Sequence, residues 1–256
     1  MYDWEDCHLG DAALEDAREE LEFPKSDSDV INSFGVLLRS GDIDAMCVAL
    51  SYYHYCESMS RHGGENILEG ESQDVLECAR VVLRRPPSKV ATAEHDEYEA
   101  AHATALSAIA GIVQPEDSGL VSEALRRATS EDVRKAAAMA ASTILRDTLP
   151  GCGHKAALLN ELIDQLAEII FDDSVSSQER WLAINAVSQS GSEIAESYLV
   201  GALELTDVQL QAVAGLALAD RDMGRFRPIL MNLTASWSDD SEFPANELIS
   251  ILREGE

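Results

Sequence analysis

Lysine is scarce in this chain. Only Lys25, Lys89, Lys135 and Lys155 occur in 256 residues, and 19 basic residues stand against 47 acidic ones, for a net charge of −28. A surface so one-signed repels nucleic acid and anionic membranes and speeds encounter with a basic partner. A salt-adapted proteome gives the same counts with no partner involved. Aromatic residues are also few, at 5%, which counts against sheets, where aromatic and β-branched side chains concentrate. The longest apolar runs, such as Leu216-Ala217-Leu218-Ala219 and Ile169-Ile170-Phe171, are far too short to cross a bilayer. The opening Met1-Tyr2-Asp3-Trp4-Glu5-Asp6-Cys7 is acidic and lacks an apolar stretch, so the expectation is a cytoplasmic protein without a secretory signal. Five cysteines form no C-x-x-C pair and read as reduced thiols packed between helices. Phosphate loops, dinucleotide fingerprints and nucleophile elbows do not occur.

What the chain does have is a 46% hydrophobic content rich in alanine and leucine, the composition of closely packed helices. The first thirty residues hold eleven acids and one expected helix, 11–22, as a cap or acidic arm. Helices are expected next at 30–38, 42–62 and 70–84, the first two closed by Gly41 and by Gly63-Gly64 in left-handed caps. Pro86-Pro87 must end the third. The loop that follows marks the expected boundary between an N-terminal helical region, 1–93, and a second region, 94–256. Beyond it, helices are expected at about 94–113, 116–128, 131–147, 155–171, 178–189, 193–205, 207–220, 225–236 and 244–253. Thr129 with Asp132, Ser176 with Glu179, and Thr206 before Asp207 provide start signals. Pro228 argues for a later start to the 225–236 helix.

Within the second region a helix opening recurs. Val133-Arg134-x-x-Ala137-x-x-Ala140-Ala141 returns as Glu179-Arg180-x-x-Ala183-x-x-Ala186-Val187, and then as Val208-Gln209-x-x-Ala212-x-x-Gly215-Leu216. A fainter copy is His102-x-x-Ala105-x-x-Ala108-Ile109. The anchoring alanines 105, 137, 183 and 212 lie 32, 46 and 29 residues apart, the length of a helical hairpin that buries its apolar face only by stacking on neighbours. The pair Ala108-Ile109 and Ala124-Leu125 also returns 78 residues on, as Ala186-Val187 and Ala202-Leu203. These residues resemble HEAT-like repeats, clearest over 94–253. The resemblance implies an all-α fold, a right-handed α-solenoid of helix-hairpin repeats, probably continuous through 94–256, but it hardly restricts function.

Residue types that carry chemistry are thinly spread. His95-x-x-x-Glu99-x-x-His102 puts three metal-ligand types along one helical face; the alternative is that the histidines pack beside Tyr98, Ala101 and Ala105. Cys47, His54 and His62 share a sector of one helix, and Cys152 and His154 form a second pair, which could build a zinc site only if the two regions met in space. Arg134 and Arg180 share one repeat phase, and in HEAT-like repeats that arginine commonly bonds an acid of the adjacent unit. With Trp181, Tyr52 and Tyr55 they are the candidate partner-binding residues.

The sequence therefore supports a non-enzymatic, cofactor-free scaffold that binds a protein partner, expected to be basic, through the concave solenoid face. An inhibitor or immunity protein that neutralises a basic toxin is its sharper form. The alternative from another class is a metal-binding or metal-dependent enzyme using His95, Glu99 and His102.

Overall fold

The computed structural model describes residues 7–85, 92–148, 156–238 and 241–254, with the side chains of 92–96 excepted. Among the described residues the protein is all-α: twelve α-helices, two short 3-10 turns and no strand. None of these helices is long and apolar enough to cross a membrane.

The helix boundaries follow local chemistry. In α1 (Ala12–Glu22), α2 (Asp27–Leu38) and α3 (Ile43–Arg61), the side chains of Asp11, Ser26 and Asp42 accept first-turn N–H groups, occupying donors that have no intrahelical partner. Gly41 and Gly63 take positive φ angles of 77° and 94°, as expected of left-handed caps, and the Gly64 N–H closes back on the Met59 carbonyl at 3.3 Å. Helices α4 (Ser72–Leu83) and α5 (Thr92–Ile109) follow, then α6 (Ser118–Arg127) behind a 3-10 turn at Pro115–Asp117. Next come α7 (Glu131–Asp147), α8 (Ala156–Phe171), α9 (Ser177–Ser188) and α10 (Glu193–Ala202). The capping box of Ser176 and Glu179 forms as the sequence suggests. At α7, the Ser130 hydroxyl accepts the Val133 N–H, one residue later than the start read at Thr129.

Two expected helices, 207–220 and 225–236, appear as one element, α11 (Val208–Thr234), broken at Asp222 by non-helical angles. The Asp222 carboxylate accepts the Arg225 N–H at 3.0 Å and so caps the second segment. That segment begins before Pro228 rather than after it, because a proline inside a helix that is already kinked removes a single backbone bond. Helix α12 (Ala245–Glu254) closes the chain.

The helices gather into two compact units, Met1–Ala140 and Ala141–Glu256, and the division falls inside α7. In the first unit α1 packs on α2, α3 on both, α4 on α2 and α3, α5 on α3 and α4, and α6 on α4. In the second, α9 and α10 pack on α8 and on each other, α11 on α9 and α10, and α12 on α11. Each helix thus meets neighbours one or two places away in chain order, the contact pattern of hairpins laid side by side.

Small residues permit this approach. Ala105, Ala137, Ala183 and Ala212 are all 0% exposed, and Gly215 at the third step of the last copy has no room: an added Cβ would lie 2.6 Å from Leu248 Cδ2 and 3.2 Å from Leu230 Cδ2. Around these positions Phe34, Leu50, Tyr53 and Leu106 fill the first core, and Leu162, Leu166, Ile184 and Leu218 the second. Helices separated by alanine rather than leucine lie closer together, which gains dispersion contacts along the whole helix pair.

Candidate functional site

The two arginines of shared phase are both turned inward onto the backbone. Arg180 is only 7% exposed; its Nε donates to the Ile170 carbonyl at 2.8 Å and its Nη1 reaches Asp173 Oδ1 at 3.0 Å. It ties α9 to the end of α8. Arg134 is half-buried and donates from Nη1 to the Thr129 carbonyl at 3.0 Å. Trp181 is half-buried. Tyr52 is buried, while Tyr55 is 48% exposed, with its ring centroid 6.3 Å from that of Tyr52. Of the five candidate interface residues, Tyr55 presents the most surface, and the arginine at 180 is committed to holding its own hairpin.

Glu99 and His102 share a face of α5, but their side chains do different things. Glu99 is buried, and one oxygen accepts from the Thr129 N–H at 2.8 Å and its hydroxyl at 3.0 Å, while the other accepts from the Ser130 N–H at 2.5 Å. Burial alone would raise its pKa, yet the hydrogen bonds from Ser130 and Thr129 outweigh burial and hold it below the usual carboxylate range. The carboxylate therefore serves the N-terminal end of α7, where partial positive charge favours an anion. Its oxygens carry three donors already, which weighs against metal ligation. His102 is buried with Nε2 unpartnered and its ring 4.1 Å from that of Tyr98. Burial pushes its pKa down to about 4, against a lesser opposing effect of the Val82 backbone. The side chain of His95 lies outside the described residues, as do Cys152 and His154.

The thiols are unreactive in character. Burial pushes Cys78 up to about 12 and Cys56 up to about 11, and raises Cys47 further still; a nucleophilic cysteine needs the opposite shift. His62 Nδ1 lies 2.8 Å from the Ser58 carbonyl of its own helix, and His54, whose pKa burial lowers, has the Ser107 backbone beside it. Among the described residues no group of three or more His, Cys, Asp or Glu side chains is placed to hold a metal.

Several structural ties escaped the sequence reading. Arg80 grips Asp117 with Nε at 2.8 Å and Nη2 at 3.0 Å, and also reaches Gln114 at 3.1 Å. Arg39 meets Asp74 at 2.7 Å. Arg221, whose pKa is lowered by burial, donates to the Val187, Ser188 and Ser190 carbonyls where α9 ends. Ser177 bonds Asp207 at 2.9 Å, and the Tyr198 hydroxyl donates to Asp164 at 2.8 Å. These pairs, with Glu99 and Thr129, span 30 to 37 residues each. That is one hairpin, so the only available signal was the repeat length itself.

One surface differs from the rest. Neither α8 nor α10 contains a lysine or arginine, and Glu161, Asp164, Glu168 and Glu193 stand exposed on them. Phe171, 42% exposed, lies between Tyr198, 6.3 Å away by centroid, and Gly201, where a Cβ would come within 3.2 Å of the ring. The bond to Asp164, then burial, then the charges of Asp164 and Glu168 raise the Tyr198 pKa. No protein-family model, curated protein or solved structure matches this chain.

Proposed function

We propose that this chain is a non-enzymatic interaction module, a right-handed stack of HEAT-like hairpins whose concave face binds a basic protein. An inhibitor or immunity protein for a basic toxin is the most specific form of this reading. The observation that carries it is how the positive charge is spent. Of only 19 basic residues in the chain, Arg18, Arg80 and Arg180 are consumed in internal ion pairs and Arg221 on backbone carbonyls. The field presented outward is therefore more negative than the sequence count, and such a field raises the association rate with a cation-rich partner.

Two further observations support the stacked arrangement: helix contacts confined to near neighbours, and polar ties that recur at one-hairpin spacing. The chemistry of the interior agrees with a binding role, since Glu99 is occupied as a helix cap and the described thiols with shifted pKa are raised.

The test is affinity purification from cell extract at about 0.05 M salt, followed by a wash at about 0.5 M, where exposed charges are screened within a few ångströms. The expected result is a basic protein held in fixed stoichiometry and released by the wash. Recovery of no protein, or of a partner retained equally at both salt concentrations, overturns the reading.

A further inference from the structure

The reading above leaves the docking surface open, and the second unit contains a helix face suited to it. Helices α8 and α10 pack directly on each other, and the Tyr198 hydroxyl on Asp164 ties the two at 2.8 Å. Their outward sides carry an apolar strip of Leu158, Phe171 and Ile194, exposed by 43%, 42% and 37%. Large apolar side chains that share one face indicate a surface that is covered in use. Acids line this strip at Glu161, Asp164 and Glu168, one to two turns apart along α8. Among the described residues no basic side chain pairs with Glu161, Asp164, Glu168 or Glu193, whereas Glu196, on the other side of α10, is matched by Arg225 at 2.8 Å.

Charge and shape together narrow the occupant. An apolar strip alone would accept any hydrophobic helix, but one edged by unpaired carboxylates penalises acidic and neutral segments and favours a cation with apolar stems. The Phe171 ring is held close to the backbone by Gly201 and faces Tyr198, which leaves a fixed aromatic surface beside Asp164 and Glu168. A guanidinium fits there in two ways at once, flat against an aromatic face and forked onto a carboxylate; an ammonium fits neither as well.

We infer that the exposed face of α8 and α10 is the docking surface for an arginine-bearing segment of a basic partner protein. Its arginines stack on Phe171 and Tyr198 and pair with Glu161, Asp164 and Glu168, while its apolar residues cover Leu158 and Ile194. The inference rests on the proposed function and locates it.

A labelled nona-arginine peptide serves as probe, titrated by fluorescence anisotropy at about 0.05 M salt against three forms of the intact chain. These are the unaltered protein, E161Q/D164N/E168Q, and a control, D16N/E19Q/E97Q, which removes the same charge from exposed positions of the first unit. Thermal unfolding of each confirms that the exposed substitutions leave the fold intact. The expected result is saturable binding weakened about tenfold by the face variant and less than about twofold by the control. A second variant, F171A, is expected to abolish the preference for nona-arginine over nona-lysine. Equal weakening by the two charge variants overturns the inference and leaves the basic-partner reading standing. An unaltered protein that does not bind the peptide at all overturns both. An arginine preference unchanged in F171A overturns the aromatic seat.

Discussion

At the scale of single residues, two side chains of one helix face answer to pH in different windows. His102 is neutral in the folded protein, its pKa held near about 4 by burial, while an unfolded chain titrates it near its ordinary value of about 6.5. Between these values the unfolded state binds the additional proton, so stability is complete above about pH 6.5 and falls as pH drops toward 4. The full loss is about 3 kcal/mol at 1.36 kcal/mol per pKa unit. Urea unfolding of H102F at pH 7 and pH 5 is expected to show a smaller pH difference than the unaltered protein. An unchanged difference would assign the acid sensitivity to other groups. Glu99 responds lower down, since its folded pKa is depressed: its contribution is present above the ordinary carboxylate pKa and is lost as pH falls below it. Replacing Glu99 by alanine strands the Thr129 and Ser130 donors at the start of α7 and is expected to cost about 2 kcal/mol. E99Q, which retains an acceptor, is expected to lose less. A cost near zero for E99A in chemical denaturation would remove the capping role.

At the scale of elements, the small-residue phase sets how closely the hairpins lie. Ala183 is fully buried in α9, where leucine would insert three carbons into a packed interface. A183L is expected to destabilise the protein by about 2 kcal/mol despite the equal helix-forming tendency of the two residues. A stability unchanged in thermal unfolding would show that α9 has slack the packing does not suggest. Helix positions were legible in the sequence because amphipathic periodicity and caps act within a few residues. The positive-φ glycines 41 and 63 and the Ser176–Glu179 box are of that kind. The joining of two expected helices into α11 was not, because Asp222 caps the second segment while the chain runs on without a turn.

At the scale of the molecule, a net charge of −28 is a load on the folded state, which holds like charges closer than the unfolded chain does. Added sodium chloride is expected to raise the melting temperature by several degrees between about 0.02 and 0.3 M, as the screening length falls below the spacing of surface acids. A melting temperature that stays level or falls would mean the internal arginine pairs, which salt weakens, outweigh surface repulsion. The same screening should loosen a basic partner, so salt separates stability from binding by sign.

Composition and spacing alone determined that this chain would be helical, where most helices begin and end, and which alanines are buried. Those properties arise from forces between residues within a few turns. Only the tertiary structure decided what the polar residues do. Glu99 became a cap, Arg180 an anchor and Arg221 a clasp on α9 because their partners, ten to 31 residues distant in the chain, are brought within hydrogen-bond reach by packing. The aromatic and acidic side chains of α8 and α10 became one surface for the same reason: Phe171 and Tyr198 are strangers in sequence and neighbours only once the helices lie side by side.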